Sequence, residues 1–254
     1  MSKFYNPRRT RNLYDPQAEK PFKVSRSKID LFIDCPRCFY IDRRLGVGRP
    51  PGFPFNLNSA VDSLLKSEFD VHRAAGTAHP LQQAYGIDAV PAPHAEIDAW
   101  RENFKGVQFH HEATNLTIFG AIDDLWVDSN DRYMVVDYKA TAKKEPVKSL
   151  NQAWQAGYKR QMEVYQWLLR RNGLEVSDTG YFVYCTGNPE APAFDSRIEF
   201  DVHLIAYEGD DGWVNEAIWE LHACLNQDEL PEPGKDCDFC AFFNARAEIE
   251  ASLA

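Results

Sequence analysis

The sequence lacks long apolar runs, and none reaches the length of about 18 residues that a membrane span requires. Its first 24 residues are polar and interrupted by prolines, and they lack the apolar segment of a secretory signal. It also lacks internal repeats and low-complexity tracts. We therefore expect a cytoplasmic protein, in which six cysteines are more typical of thiols or metal ligands than of disulfides.

Positive charge is scarce as well, because the formal net charge is −10. Taken as a whole, that charge argues against a nucleic-acid partner. The distribution changes this interpretation: residues 1–50 hold 12 of the 28 Lys and Arg but only 5 of the 38 Asp and Glu. This basic segment is either a solvated tail or a surface along which a phosphate backbone lies.

The order of the periodic segments predicts one α/β domain. The composition, 44% hydrophobic and 26% charged, suffices for a sizeable core. A helical stripe starts at Ser25, a second helix is capped by Asn58 or Ser59, short helices follow, and strands begin near Val107. A long helix ends at Gly173, before two further strands and a helix. The expected organisation is an extended basic arm (1–24), a single domain (25–245) and a tail (246–254).

The stretch "YMVVDYKAT" carries two charges in an otherwise apolar strand. Side chains two apart in a strand point to the same face, so Asp137 and Lys139 share one face and Tyr138 lies on the other. Burying such a pair for stability alone is unfavourable, because desolvation can exceed the Coulombic gain. The pair therefore indicates either a surface position or a functional site.

The preceding strand supplies a second carboxylate. If "DSND" forms a hairpin with a three-residue tip at residues 129–131, Asp128 pairs with Arg132 and Asp123 lies opposite Asp137. Directly opposed like charges destabilise a sheet, unless a divalent cation such as Mg²⁺ lies between them. A slip of one residue would put Asp124 in place of Asp123, so Asp124 is the reserve candidate.

Three motifs in order, "GAID", "DYK" and "QMEVY", resemble those of the PD-(D/E)XK nuclease superfamily, in its RecB-like branch. The resemblance implies a restriction-endonuclease-like mixed sheet flanked by helices, and metal-dependent hydrolysis of phosphodiester bonds in DNA. It implies that Asp123, Asp137 and the backbone carbonyl of Tyr138 hold Mg²⁺ or Mn²⁺. Lys139 would position or activate the attacking water and stabilise charge on phosphorus, which agrees with the chemistry that the reaction needs.

Two helices complete the expected site. Gln161 and Tyr165 lie four apart on one helix face, and they belong either to the site or to the core. In the earlier helix RecB-like nucleases usually carry a metal-binding His, but this chain offers Asp62, which a hard cation also accepts. The fallbacks on that helix are Glu68 and His72. Ahead of the strands, His110, His111 and Glu112 also cluster, and they are better explained as polar side chains exposed to solvent.

Two C-x-x-C pairs, Cys35 with Cys38 and Cys237 with Cys240, lie about 200 residues apart. Two such turns supply the four thiolates of a tetrahedral metal site, and the bound metal would hold the N- and C-terminal segments together. The resemblance implies a [4Fe–4S] cluster, but relatives generally take one cysteine from the N-terminal side and three from the C-terminal side. A structural Zn²⁺ therefore stays open. The other two, Cys185 and Cys224, fall in apolar settings and are predicted core residues.

The expected function is an exonuclease-like DNA nuclease acting in repair, recombination or phage- or CRISPR-related processing, where protein partners are possible. The basic segment 1–50 and Lys143, Lys144 and Lys148 would line the path of single- or double-stranded DNA. The alternative is a nuclease-like fold retained as a catalytically inactive nucleic-acid-binding or assembly subunit. The acidic bulk of the chain and the aspartate at position 62 favour that alternative.

Overall fold

The computed structural model describes residues 6–52 and 56–253. The helices of the described residues are α1 (Arg26–Asp34), α2 (Pro36–Arg43), α3 (Asn56–Ala75), α4 (Pro80–Ala84), α5 (Ile97–Trp100), α6 (Ala156–Arg171), α7 (Val214–Asn226) and α8 (Asp238–Leu253). The strands are β1 (Phe22–Ser25), β2 (Ala89–Pro91), β3 (Val107–His111), β4 (Leu116–Gly120), β5 (Asp124–Asp128), β6 (Tyr133–Ala142), β7 (Thr179–Gly187) and β8 (Phe200–Glu208). The predicted mixed α/β fold is thereby confirmed.

The strands form two sheets. A five-stranded sheet has the order β2-β5-β6-β7-β8, and a three-stranded sheet has the order β1-β4-β3. In the larger sheet β6 and β7 run parallel, whereas β2–β5, β5–β6 and β7–β8 are antiparallel. A parallel neighbour requires a crossover, and α6 supplies it between β6 and β7.

The described chain divides into two compact units. The first comprises Met1–Phe53, His110–Ile118 and Gly212–Ala254, and the second comprises Pro54–Phe109 and Phe119–Asp211. The domain limits drawn from the sequence stay a prediction. Two local differences concern them: β1 starts within the stretch expected to be an extended arm, and α8 runs to Leu253 where a tail was expected.

The larger sheet buries an aromatic core in the second unit. Phe69 of α3 stacks on Trp126 of β5 with ring centroids 5.5 Å apart, and Trp126 stacks on Tyr181 of β7 at 5.4 Å. Offset aromatic pairs of this kind stabilise a core beyond the area that they bury. Cys185 and Cys224 are both buried, as predicted.

One helix boundary follows its predicted signal, and two differ from the expectation. Gly173, two residues after α6, has φ +84°, a left-handed conformation that favours glycine at a helix end. The first helical stripe is divided at Cys35, because Pro36 disfavours helical backbone in the residue before it. The predicted N-cap is wrong: α3 begins at Asn56, and the amide of Asn58, inside it, donates to the carbonyl oxygen of Ala140 at 2.8 Å.

None of the described helices is long and apolar enough to cross a membrane.

Candidate active site and metal centre

Asp137 and Lys139 lie on one face of β6, as the strand alternation predicts. The Lys139 ammonium forms an ion pair with the Asp137 carboxylate. The Asp137 side chain is 0% exposed and that of Lys139 is 14% exposed, so this pair is not a surface feature. A buried pair of this kind contributes little stability after desolvation, which favours a functional role.

The predicted hairpin register is confirmed. Asp124 to Val127 pair with Val136 to Tyr133, and the amide of Asp128 donates to the carbonyl oxygen of Arg132 at 3.0 Å. Asp123 directly precedes β5, whose paired residues begin with Asp124 opposite Val136. The backbone N–H of Tyr138 donates to a carboxylate oxygen of Asp123 at 2.9 Å, so that carboxylate lies beside the peptide that joins Asp137 to Tyr138.

Asp124 belongs to a different environment and is excluded as the reserve. Its side chain is 0% exposed and forms ion pairs with Arg73 and, at 3.0 Å, with Arg101. The hydroxyl of Tyr138 donates to its other oxygen at 2.5 Å. Burial, followed by the charge of Asp124, raises the pKa of Tyr138 well above its usual value, which keeps this hydroxyl a donor. Asp124 therefore holds the fold together.

Asp62 of α3 lies near Asp123, and Lys66 links the two carboxylates. The Lys66 ammonium is 2.9 Å from an oxygen of Asp62 and 3.6 Å from an oxygen of Asp123. Burial, followed by the negative charge of Asp123, raises the pKa of Asp62 although Lys66 opposes this change. The raised pKa of Asp62 therefore reflects its burial first and the neighbouring carboxylate second.

The fallback residues of α3 have other partners. The Glu68 carboxylate contacts the imidazole of His79 at 2.9 Å, and His72 contacts the hydroxyl of Thr77 at 3.2 Å. Neither contact involves Asp62 or Asp123. In the other unit, His111 contacts the hydroxyl of Thr114 at 2.9 Å, in keeping with a local turn.

Helix α6 directs Gln161 and Tyr165 toward Lys139. The Lys139 ammonium donates to the side-chain oxygen of Gln161 at 3.3 Å, and the Gln161 amide donates to the hydroxyl of Tyr165 at 3.1 Å. The ammonium also lies over the ring of Tyr158, 4.5 Å from its centroid. These contacts fix the lysine between a carboxylate, an amide and an aromatic ring, which leaves it few rotamers.

These residues border a small cleft of about 90 Å³. Its walls are formed by both flanking helices and the end of β6, namely by Asn58, Val61, Asp62, Tyr138, Lys139, Ala140 and Tyr158. Carboxylate oxygens are the donors that Mg²⁺ and Mn²⁺ prefer. The Lys66 ammonium lies between Asp62 and Asp123, and the oxygens of Asp62, Asp123 and Asp137 are not gathered within the 4.8 Å that the four cysteine sulfur atoms reach.

The four cysteines of the two C-x-x-C pairs come together in the first unit, as predicted. Their sulfur atoms all lie within 4.8 Å of one another, with Cys35 3.7 Å from Cys240 and Cys38 3.6 Å from both Cys237 and Cys240. Within residues 6–52 and 56–253 no other set of three or more His, Cys, Asp or Glu is gathered so closely. Thiolates in this arrangement fit a tetrahedral metal or a cluster.

Hydrogen-bond donors surround these sulfur atoms. The backbone N–H groups of Gly234 and Cys38 donate to the Cys35 sulfur at 3.2 and 3.4 Å, and Arg49 donates to the Cys237 sulfur at 3.3 Å. Although burial opposes ionisation, the two backbone donors lower the pKa of Cys35 to about 7. Position 234 requires glycine, because a Cβ there would collide with the carbonyl oxygen of Asp34.

Sequence reasoning missed Lys66, Tyr158 and Arg49. Lys66 follows Asp62 by four residues, and Tyr158 precedes Gln161 by three, so helical spacing could have indicated both. Nothing in the sequence links Arg49 to a cysteine 188 positions away. Among the lysines expected along a DNA path, Lys144 pairs with Glu190 at 3.0 Å.

The comparisons with known proteins bear on this site. No curated protein matches the chain. The solved structure titled "Crystal structure of SSO0001" is similar to this chain at 14% sequence identity, covering 85% of this chain and 82% of that chain with a TM-score of 0.35. The family model of the PD-(D/E)XK nuclease superfamily matches residues 56–245, which include Asp123, Asp137, Lys139 and the helix bearing Gln161. The chain belongs to the PD-(D/E)XK nuclease superfamily.

Proposed function

We propose that this chain is a Mg²⁺- or Mn²⁺-dependent DNA nuclease of the RecB-like branch, exonuclease-like in its action. The observation that carries the proposal is the Asp123 carboxylate, which accepts from the Tyr138 N–H at 2.9 Å beside Asp137, together with Lys139 paired to Asp137 on one face of β6. Two carboxylates beside a fixed ammonium are unfavourable in a scaffold and suit hydrolysis of a phosphodiester.

The metal ligands in this proposal are the carboxylates of Asp62, Asp123 and Asp137 and the backbone carbonyl of Tyr138. A bound divalent ion supplies an activated water and polarises the phosphate. The Tyr138 N–H holds the Asp123 carboxylate in place, so the strand itself orients one of the ligands. Asp62 takes the position at which RecB-like relatives usually carry histidine.

Lys139 supplies fixed positive charge next to the scissile phosphate and positions the attacking water. Its ammonium is placed by Asp137 and Gln161, and Gln161 is placed in turn by Tyr165. A preorganised charge costs no reorganisation when negative charge develops on phosphorus. In this arrangement Gln161 and Tyr165 are positioning residues that act through Lys139.

The four-cysteine site holds a [4Fe–4S] cluster, with structural Zn²⁺ as the alternative. The donors around Cys35 and Cys237 suit either, because both stabilise thiolate charge. The purified protein distinguishes them: a brown protein that absorbs in the visible range contains iron–sulfur, and a colourless one that contains zinc by elemental analysis excludes it.

DNA, single- or double-stranded, is the proposed substrate, and a cytoplasmic role in repair, recombination or phage- or CRISPR-related processing would involve protein partners. In the second unit Lys143 and Lys148 are exposed and available for backbone phosphates. The basic segment 1–50 stays a separate prediction. Part of its charge is internal, since Arg9 and Lys28 both pair with the buried Asp42.

The test is cleavage of DNA by the purified protein with Mn²⁺, compared with the Lys139→Ala variant. Loss of the fixed charge should reduce the rate by about 100-fold or more. Lys105→Ala is the matched control, because Lys105 is an exposed lysine of the same unit that pairs only with Glu102 among the ion pairs of the described residues. Equal cleavage by wild type and Lys139→Ala would refute the assigned mechanism.

A catalytically inactive nuclease-fold subunit that binds nucleic acid or assembles with other proteins is the second candidate. The Lys66 ammonium favours it, because a resident cation between Asp62 and Asp123 competes with a divalent ion. Calorimetric titration of Mn²⁺ into wild type and Asp137→Asn separates the two functions. Weaker binding by the variant supports the nuclease, and identical binding supports the inactive subunit.

A further inference from the structure

The helix face that carries Gln161 and Tyr165 continues beyond the catalytic cleft. Tyr158 and Trp154 precede Gln161 by three and seven residues, so the four side chains follow one helical stripe. Trp154 lies in the 3₁₀ turn Ala153–Gln155, which leads directly into α6. A stripe that begins beside Lys139 therefore ends on an exposed indole.

Aromatic and cationic groups alternate along this stripe. Lys139 lies over the Tyr158 ring at 4.5 Å, and the Tyr158 and Trp154 rings meet edge to face with centroids 5.7 Å apart. Lys143 lies over the Trp154 ring at 5.1 Å. In proteins that bind single-stranded nucleic acid, lysines contact the phosphates and aromatic rings stack on the faces of the bases.

The turn that carries Trp154 is held firmly although its indole is exposed. The side chain of Gln155 accepts from the backbone N–H of Gln152 at 2.8 Å, and the Gln152 side chain accepts a backbone N–H of the turn in return. Gln155 itself is buried, whereas Trp154 is 54% exposed. The indole is therefore presented on a fixed turn, next to Lys143 and Tyr158, which suits it to stack on a ligand.

We infer that Trp154, with Tyr158 behind it and Lys143 over it, stacks on a nucleobase next to the nucleotide being hydrolysed. Both faces of a base inside a duplex are covered by its neighbours, so only an unpaired base can stack on a protein ring in this way. The substrate class is therefore single-stranded DNA or a frayed end. This inference rests on the proposed function, since it places the base relative to the cleft at Lys139.

The first experiment compares cleavage of a single-stranded oligothymidylate with cleavage of a nicked circular duplex, in which every base is paired and stacked, in Mn²⁺. Trp154→Ala should raise KM for the single strand about tenfold, with little change in kcat and with no change in KM for the nicked circle. Trp154→Phe keeps a stacking ring and should stay within about twofold of wild type. Trp219→Ala is the matched control, because Trp219 is a comparably exposed tryptophan of the other unit.

An equal loss on both substrates, or an unchanged KM in Trp154→Ala, would overturn the inference. Because the indole is exposed, the thermal midpoint of Trp154→Ala should match that of wild type, so a folding defect is detected separately.

A binding assay without turnover separates this inference from the nuclease proposal. Fluorescence anisotropy of labelled oligothymidylate in EDTA should show about tenfold weaker binding by Trp154→Ala than by wild type. If that difference is present but neither wild type nor the variant cleaves DNA, stacking on Trp154 is supported and the nuclease proposal fails. If cleavage depends on Lys139 but neither binding nor KM depends on Trp154, stacking on Trp154 is refuted and the nuclease proposal is supported.

Discussion

Asp123 and Asp124 are adjacent in the sequence but belong to two different charged regions. Asp124 is fully buried and is matched by Arg73, Arg101 and the hydroxyl of Tyr138. Asp123, directly before β5, is partly exposed, and its carboxylate contacts the backbone N–H of Tyr138 and the Lys66 ammonium, the latter at 3.6 Å. The two adjacent carboxylates thus have different partners, which separates a structural role from the proposed functional one.

The two regions also differ in their balance of charge. Around Asp124 two guanidinium groups face two carboxylates, because Asp70 pairs with both Arg73 and Arg101. The pKa of Arg101 is raised, since the charges of Asp124 and Asp70 outweigh the opposing effect of burial. Around Asp62 the pKa of the carboxyl is raised instead, by burial and by Asp123. The charge of Asp124 is thus matched within the fold, whereas burial disfavours the charge of Asp62.

The largest expected effect on stability comes from Asp124→Asn. This isosteric change leaves two buried guanidinium groups with one carboxylate fewer, at a cost of about 3 kcal/mol or more. The free energy of unfolding in urea measures it, with Asp123→Asn as the adjacent control, for which we expect a change below about 1 kcal/mol. Equal losses in the two variants would contradict the division between the regions.

The order of the two variants should be reversed for the rate of DNA cleavage, which Asp123→Asn should lower more than Asp124→Asn does. Asp123→Asn removes a proposed metal ligand and should lower DNA cleavage by about 100-fold or more while the protein stays folded. Folded Asp124→Asn protein, assayed well below its unfolding midpoint, should keep most of its rate. Comparable cleavage rates for Asp123→Asn and wild type would show that Asp123 is not one of the metal ligands.

Lys66→Met sharpens the comparison by removing the cation that lies between Asp62 and Asp123. Asp62 and Asp123 then lack a counter-charge, so Mn²⁺ should bind about fivefold more tightly, corresponding to about 1 kcal/mol for a partly exposed pair. Calorimetric titration of Mn²⁺ measures the change. Weaker binding in the variant would mean that Lys66 assists the metal instead of competing with it.

An effect as small as that of Lys66→Met is expected for Tyr165→Phe. This variant removes the hydroxyl that accepts from the Gln161 amide, one hydrogen bond of about 1 kcal/mol, and so relaxes the orientation of Lys139. We expect kcat to fall about fivefold with KM unchanged. If KM rises by a larger factor than the factor by which kcat falls, Tyr165 contacts the substrate and does not act by positioning Lys139.

Local patterns predicted much of this site. Strand alternation placed Asp137 and Lys139 on one face, and counting from the "DSND" turn gave the register that β5 and β6 adopt. Two C-x-x-C pairs predicted one cluster of four sulfur atoms. Each of these inferences depends on short-range geometry, in which the spacing of residues fixes their direction.

Such local patterns did not predict which side chains far apart in the sequence contact one another. The sequence by itself determined the mixed α/β fold, the strand pair with its register and the pairing of the cysteines. Only the tertiary structure decided that Asp124 is neutralised by Arg73 and Arg101, that Lys66 lies between two carboxylates, and that Arg49 reaches Cys237. The physical reason is that periodicity gives the face on which a side chain lies, whereas packing selects which distant side chain meets it there.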